Sequence, residues 1–163
     1  MPRPIVLAHR GASGYAYENS LAAFRLAQAM GADGVELDIH ATRDGALVVH
    51  HDPELPGLGV IAEHTADEVG AVRLPNGEPV PVLSQALDAV GDLRVWVEIK
   101  TLPADRDGAL LDALSRGPHP SRYAVHAFDH RIIARLGARA PTLRRGILSA
   151  SRAVHPVDEL RAA

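Results

Sequence analysis

The run GVELDIH, residues 34–40, alternates apolar and polar side chains along its whole length. A strand turns successive side chains to opposite faces, so Val35, Leu37 and Ile39 share one face and Glu36, Asp38 and His40 the other. A strand covered on both faces, as in a parallel α/β sheet, normally reads as a continuous apolar run. Two carboxylates on such a face are costly unless a cation or a ligand compensates them. An edge strand with its charged face in water explains a single pair equally well. The run RVWVEIK, residues 94–100, repeats the arrangement, with Glu98 and Lys100 beside Trp96 and with Val95, Val97 and Ile99 opposite. Two such strands, each with its charges late, favour a shared site over an exposed edge.

Outward from these two runs, strand-length and helix-length signals alternate. Ile5–Ala8, Gly34–His40, Ala46–His51, Leu93–Lys100, Tyr123–Phe128 and Arg144–Leu148 read as six strands. Ser20–Met30 reads as a helix, capped by Asn19 or Ser20 and stopped by Gly31. Ser84–Val90, Asp107–Ser115 and His130–Arg139 also read as helices, and Pro156–Ala163 as the start of another. Residues 52–81 hold five prolines and four glycines; the reading there is an excursion with little regular structure beyond a helical turn at Thr65–Val69. Alternating β and α units predict a parallel sheet, in either a closed (β/α)8 barrel or an open doubly wound fold. No GxGxxG or GK[ST] loop supports a nucleotide-binding open sheet.

The 163 residues fit one domain, 1–163. Hydrophobic residues make up 47% and aromatics 4%, so the core is aliphatic. A net charge of −3 without a basic stripe disfavours nucleic acid as a partner. The absence of cysteine removes disulfides and thiolate metal sites. The apolar run near the N-terminus is too short for a signal sequence, and no stretch is long enough to span a membrane. The expectation is a cytoplasmic soluble chain.

Glu36, Asp38 and Glu98 form an all-oxygen set suited to a hard divalent cation, Mg2+ or Ca2+. His9 closes the first strand and His51 the third; two imidazoles beside a metal suit proton transfer near neutral pH. Arg10 offers a bidentate fork for a phosphate, and Lys100 adds a point charge. Together they describe a phosphoryl-transfer site. Gly11 and Gly14 are expected to let the backbone turn close to the substrate. His40, His64, His119, His130 and His155 read as structural, while His50 and His126 lie within or beside the sheet and stay undecided. Trp96 reads as core, and Arg144-Arg145 as a solvated strand start.

The ordered set HRG at 9–11, ExD at 36–38, HD at 51–52 and ExK at 98–100 resembles the glycerophosphodiester phosphodiesterases, of the phosphatidylinositol-phospholipase-C-like barrel superfamily. The likeness covers residues 5–100 and continues more loosely to 148. It implies a (β/α)8 barrel and metal-dependent hydrolysis of glycerophosphodiesters to sn-glycerol 3-phosphate and an alcohol. His9 and His51 would be the acid/base pair, Glu36, Asp38 and Glu98 the metal ligands, and Arg10 and Lys100 the phosphate holders. Tyr17 and Ala127 stand where the family usually has proline and serine.

A (β/α)8 barrel spans about 250 residues, with a lower range near 200. The reading is therefore a barrel truncated to about six β/α units, C-terminally incomplete, with two open edges through which copies could associate as a homo-oligomer. A rival reading is an incomplete barrel that binds metal or phosphate, or self-associates, without turnover. A related barrel phospholipase of the phosphatidylinositol or sphingomyelin type fits less well, because those enzymes lack the full HRG set.

Overall fold

The computed structural model describes residues 3–150. The expected helix at Pro156–Ala163 and the reading of His155 fall outside them. In chain order the elements are β1 (Leu7–His9), α1 (Leu21–Ala29), β2 (Gly34–Ala41), β3 (Leu47–Val49), β4 (Glu54–Leu55), β5 (Gly59–Val60), α2 (Ala66–Ala71), α3 (Leu83–Val90), β6 (Arg94–Thr101), α4 (Asp107–Arg116), β7 (Tyr123–Ala127), α5 (His130–Arg139) and β8 (Arg144–Ile147).

Strands β1, β2, β6, β7 and β8 lie side by side in that order, each parallel to its neighbour. The odd-numbered side chains of β2, β6 and β7 build the main core. Val35, Leu37, Ile39, Val95, Val97, Ile99, Tyr123 and Val125 pack against Phe24 of α1, Leu87 of α3, Leu110 of α4 and Ile133 of α5. The even-numbered positions carry Glu36, Asp38, Trp96, Glu98, Lys100 and His126. Helices α1, α3, α4 and α5 thus all cover the apolar face. A doubly wound sheet places helices on both faces, whereas a barrel wall places them on the outside only. The architecture is the barrel type, and its charged face is the inner one.

The expected strand at 46–51 is real but shorter, and it runs antiparallel to β2. Only residues 42–46 separate the two strands, and a parallel return needs a crossover of about a dozen residues or more. The parallel sheet of the described residues therefore has five strands, with β3 occupying the edge of β2 beyond β1. Residues 52–81 also hold more than the expected helical turn. They form the β4–β5 hairpin and α2, whose N-cap Thr65 makes a capping box with Glu68. Leu55, Ile61, Val69, Leu74 and Val80 join Val48 of β3 in a second small core. This excursion is a lid of packed structure over one end of the sheet's edge strand.

Ser20 caps α1: its side chain accepts a hydrogen bond from the Ala23 amide at 3.1 Å. Gly11, at φ 80°, leaves no room for a side chain, because a Cβ there would stand 2.8 Å from the backbone of Ala23. The glycine allows close packing of the loop on α1. Gly14 has open space around it and an ordinary φ, so the expectation that it makes a required turn is not met. Trp96 is half-buried on the inner face, outside the core in which it was expected. Arg144 and Arg145 are exposed, as the sequence indicates.

Candidate active site at the strand ends

The parallel register aligns the inner-face residues in rows. His9 of β1 pairs with Glu36 of β2, which pairs with Trp96 of β6. One step further along, Asp38 pairs with Glu98, and Glu98 with His126 of β7. His9 and His126 lie at or near the C-terminal ends of β1 and β7, and Asp38 and Glu98 in the second halves of β2 and β6, towards the end where barrel active sites are built; Glu36 and Trp96 lie nearer the middle of theirs.

Asp38 is fully buried. The Asn19 side-chain amide donates to its Oδ2 at 2.8 Å, and the Asp38 amide donates back to Asn19 Oδ1 at 3.3 Å. Lys100 Nζ stands 2.9 Å from Asp38 Oδ1 and 2.5 Å from Glu98 Oε1. Burial alone would lower the Lys100 pKa, but its hydrogen bonds to Glu98 and Asp38 outweigh that and raise it. Arg10 Nη1 donates to both oxygens of Glu18 at 3.0 Å, and its Nε lies 3.3 Å from Asp38 Oδ2. Glu18 is therefore the partner of the Arg10 guanidinium. Arg10 and Asn19 both adopt positive φ, 57° and 53°. A bulky residue in that region is strained, and here the strain aims the Arg10 amide at Glu36 Oε2, 3.2 Å away.

Glu36 is buried and its pKa is pushed up to about 7, first by burial and then by the charge of Asp38. His9 is largely exposed, with Nε2 3.8 Å from Glu36 Oε2. His126 Nε2 lies 3.9 Å from Glu36 Oε1, and burial lowers the His126 pKa. Its ring is tilted 59° against Trp96 with centroids 5.4 Å apart.

His51 lies past the end of β3, so strand alternation does not place it. Its Nδ1 is 2.7 Å from Asp52 Oδ1, and the hydrogen bond from His51 lowers the Asp52 pKa. An ionised carboxylate only accepts, so Nδ1 carries the proton and Nε2 is left with a lone pair. The buried His40 hydrogen-bonds the His51 carbonyl through Nε2 at 3.0 Å, which fits its structural reading. His50 is buried beside the site, its amide donating to the Asp38 carbonyl at 3.1 Å.

All the sequence-singled carboxylates and both cations are thus brought together with His9; His51 follows His50, whose amide bonds the Asp38 carbonyl, and its own carbonyl is held by His40. Four contributors were not assigned from sequence, Glu18, the partner of Arg10, among them. Asn19 was read only as a possible helix cap, and Asp52 lies inside the quoted motif HD, where its presence was the available signal. His126 had only its place late in a strand.

Four carboxylates, Glu18, Glu36, Asp38 and Glu98, face two permanent cations, Arg10 and Lys100. Glu36 Oε1 and His126 Nε2 are buried without a hydrogen-bond partner among the described residues. With Glu98 they offer ligand atoms all within 4.8 Å of one another. A surplus of negative charge with unpaired buried donors fits a divalent cation.

A sequence profile of the glycerophosphoryl diester phosphodiesterase family matches residues 9–163. A glycerophosphodiester phosphodiesterase of Caldanaerobacter subterraneus is 32% identical over 94% of this chain and 70% of its own length. One from Bacillus altitudinis is 41% identical over 88% of this chain and 66% of its own. A phosphodiesterase of Oleispira antarctica, solved in complex with the product sn-glycerol 3-phosphate, superposes with a TM-score of 0.90 at 24% identity, over 98% of this chain and 71% of that one; it speaks for the fold. The chain spans about two thirds of the length of these relatives. No helix among the described residues is long and apolar enough to cross a membrane.

Proposed function

The chain belongs to the glycerophosphoryl diester phosphodiesterase family, a family of enzymes, and we propose that it hydrolyses glycerophosphodiesters to sn-glycerol 3-phosphate and an alcohol. The observation that carries this reading is the convergence of Glu36, Asp38, Glu98, Lys100, Arg10 and His9 on the inner face of three adjacent parallel strands.

In this reading Glu36, Asp38 and Glu98 hold a divalent cation, which neutralises charge on the phosphodiester when bound. Arg10 and Lys100 hold the remaining phosphate oxygens. Both already carry carboxylate partners, so the substrate phosphate competes with Glu18 for Arg10 and with Glu98 for Lys100. His51 takes the proton of the attacking hydroxyl at Nε2, with Asp52 fixing the tautomer at Nδ1. His9 gives a proton to the departing alcohol oxygen. The attacking hydroxyl is that of water or of the substrate's own glycerol.

The test is 31P NMR of glycerophosphocholine incubated with the purified protein and a divalent metal ion. Conversion of the diester resonance to that of a monoester is expected, and its loss in His9→Ala. An undiminished rate in that variant would overturn the acid/base assignment.

Self-association is a second reading with an observation of its own. Ile5, Val6, Tyr15 and Met30, around the end strand β1, are 54–78% exposed. Static light scattering giving twice the chain mass would support pairing through this edge, and a concentration-independent monomer would refute it.

A further inference from the structure

We propose that His126 gives the metal centre a nitrogen ligand, so that the site selects later first-row ions such as Co2+ or Zn2+ over Mg2+ and Ca2+. The inference rests on the functional reading above, in which a divalent cation occupies this face. It changes the chemistry of the donor set from oxygen alone to oxygen plus imidazole.

The geometry points to this residue for three reasons. His126 Nε2 and Glu36 Oε1 are buried, face each other at 3.9 Å, and have no hydrogen-bond partner among the described residues. Burying two unpaired polar atoms opposite each other is unfavourable unless something between them is bound. Glu98, on the strand between them, adds a third donor within 4.8 Å of both. A spacing of that order across a cluster is what ligands at 2.0–2.3 Å from a common centre produce.

The surroundings hold the ring in place. Trp96 lies against one side of the imidazole, and Gly146, opposite His126 on β8, borders both rings: a Cβ there would stand 3.4 Å from Trp96 and 3.8 Å from His126 Cβ. Asp38 is differently placed: Lys100, Asn19 and Arg10 already surround its two oxygens. Asp38 Oδ1 and Arg10 Nε, also buried without a hydrogen bond, have ion-pair partners at 2.9 Å and 3.3 Å, whereas Glu36 Oε1 and His126 Nε2 face only each other, 3.9 Å apart. Imidazole favours the later first-row ions, whereas an all-carboxylate set favours Mg2+, Ca2+ and Mn2+.

The probe is Mn2+, titrated into the full chain and followed by electron paramagnetic resonance. Pulsed measurements on the bound ion read out a directly coordinated 14N nucleus independently of catalysis. The wild-type protein is expected to give that nitrogen coupling, and His126→Gln to lose it while still binding Mn2+ with affinity weakened about tenfold or more. His9→Ala serves as the control, because His9 also lies near Glu36; it is expected to keep the coupling. Bound Mn2+ with no nitrogen coupling in the wild type, or a coupling that vanishes in His9→Ala and persists in His126→Gln, would overturn the inference and leave the hydrolase reading standing. No Mn2+ binding at all would overturn both.

Discussion

Strand β2 has two faces that are buried alike and built oppositely. All eight of its residues are buried. Val35, Leu37 and Ile39 are completely inaccessible and belong to the hydrophobic core. Glu36 and Asp38, one residue away in each direction, meet charges. The apolar face supplies stability, since removing it from water is favourable by roughly 25 cal/mol per Å2. The charged face spends some of that stability to hold ionisable groups in an unfavourable place. Burial by itself therefore says nothing about which job a residue does; the identity of the neighbours across the strand does.

Substitutions on the two faces are expected to differ in kind. Glu36→Gln should cut the hydrolysis rate by about 10^3, the scale on which loss of one electrostatic contributor acts. The same variant should melt no lower than the wild type in metal-free buffer at pH 8. A rate within threefold of wild type would remove Glu36 from the site. Leu37→Ala, on the other face, should cost about 2–5 kcal/mol by chemical denaturation while leaving the activity of the still-folded fraction near normal. A larger loss of activity than of folded protein would show that the faces are not separable.

The smallest effect is the pH dependence, and its sign follows from Glu36. The carboxyl titrates near 4.5 in an unfolded chain and at about 7 in the folded one. The folded protein holds the extra proton between those values, so this group's stabilising share is complete below about pH 4.5. It is lost as pH rises through 7. The loss amounts to about 3 kcal/mol at most. Metal-free wild type should accordingly lose stability relative to Glu36→Gln between pH 5 and 8, as read by urea denaturation at each pH. Parallel curves for the two proteins would mean that Glu36 is ionised throughout.

The sequence carries the faces of β2 and β6 openly, because strand alternation is a local rule and both strands obey it from end to end. The helices α1 and α5 are legible for a similar reason, through caps and apolar spacing. His130–Arg139 matches its helix residue for residue. What the sequence conceals is whatever depends on distant chain. The pairing of Asn19 with Asp38, and of His126 with Glu36, joins residues far apart in sequence through sheet register. The antiparallel turn of β3 was within reach, since five connecting residues are too few for a crossover. The packing of residues 52–81 was not, because Leu55, Ile61, Val69, Leu74 and Val80 follow no helical or strand period. Asp52 shows a middle case: the HD motif announced that the aspartate belonged with His51, and only the 2.7 Å contact gave it a task.

Trp96 is the chain's one tryptophan, and its indole lies against the imidazole of His126. Indole emission is sensitive to the charge and to any ion held by an adjoining ring. The placement gives the protein a built-in optical gauge at the centre of its polar face. Excited beyond the absorption of the three tyrosines, the emission of an unlabelled sample therefore reports on that face, with no second tryptophan elsewhere in the chain.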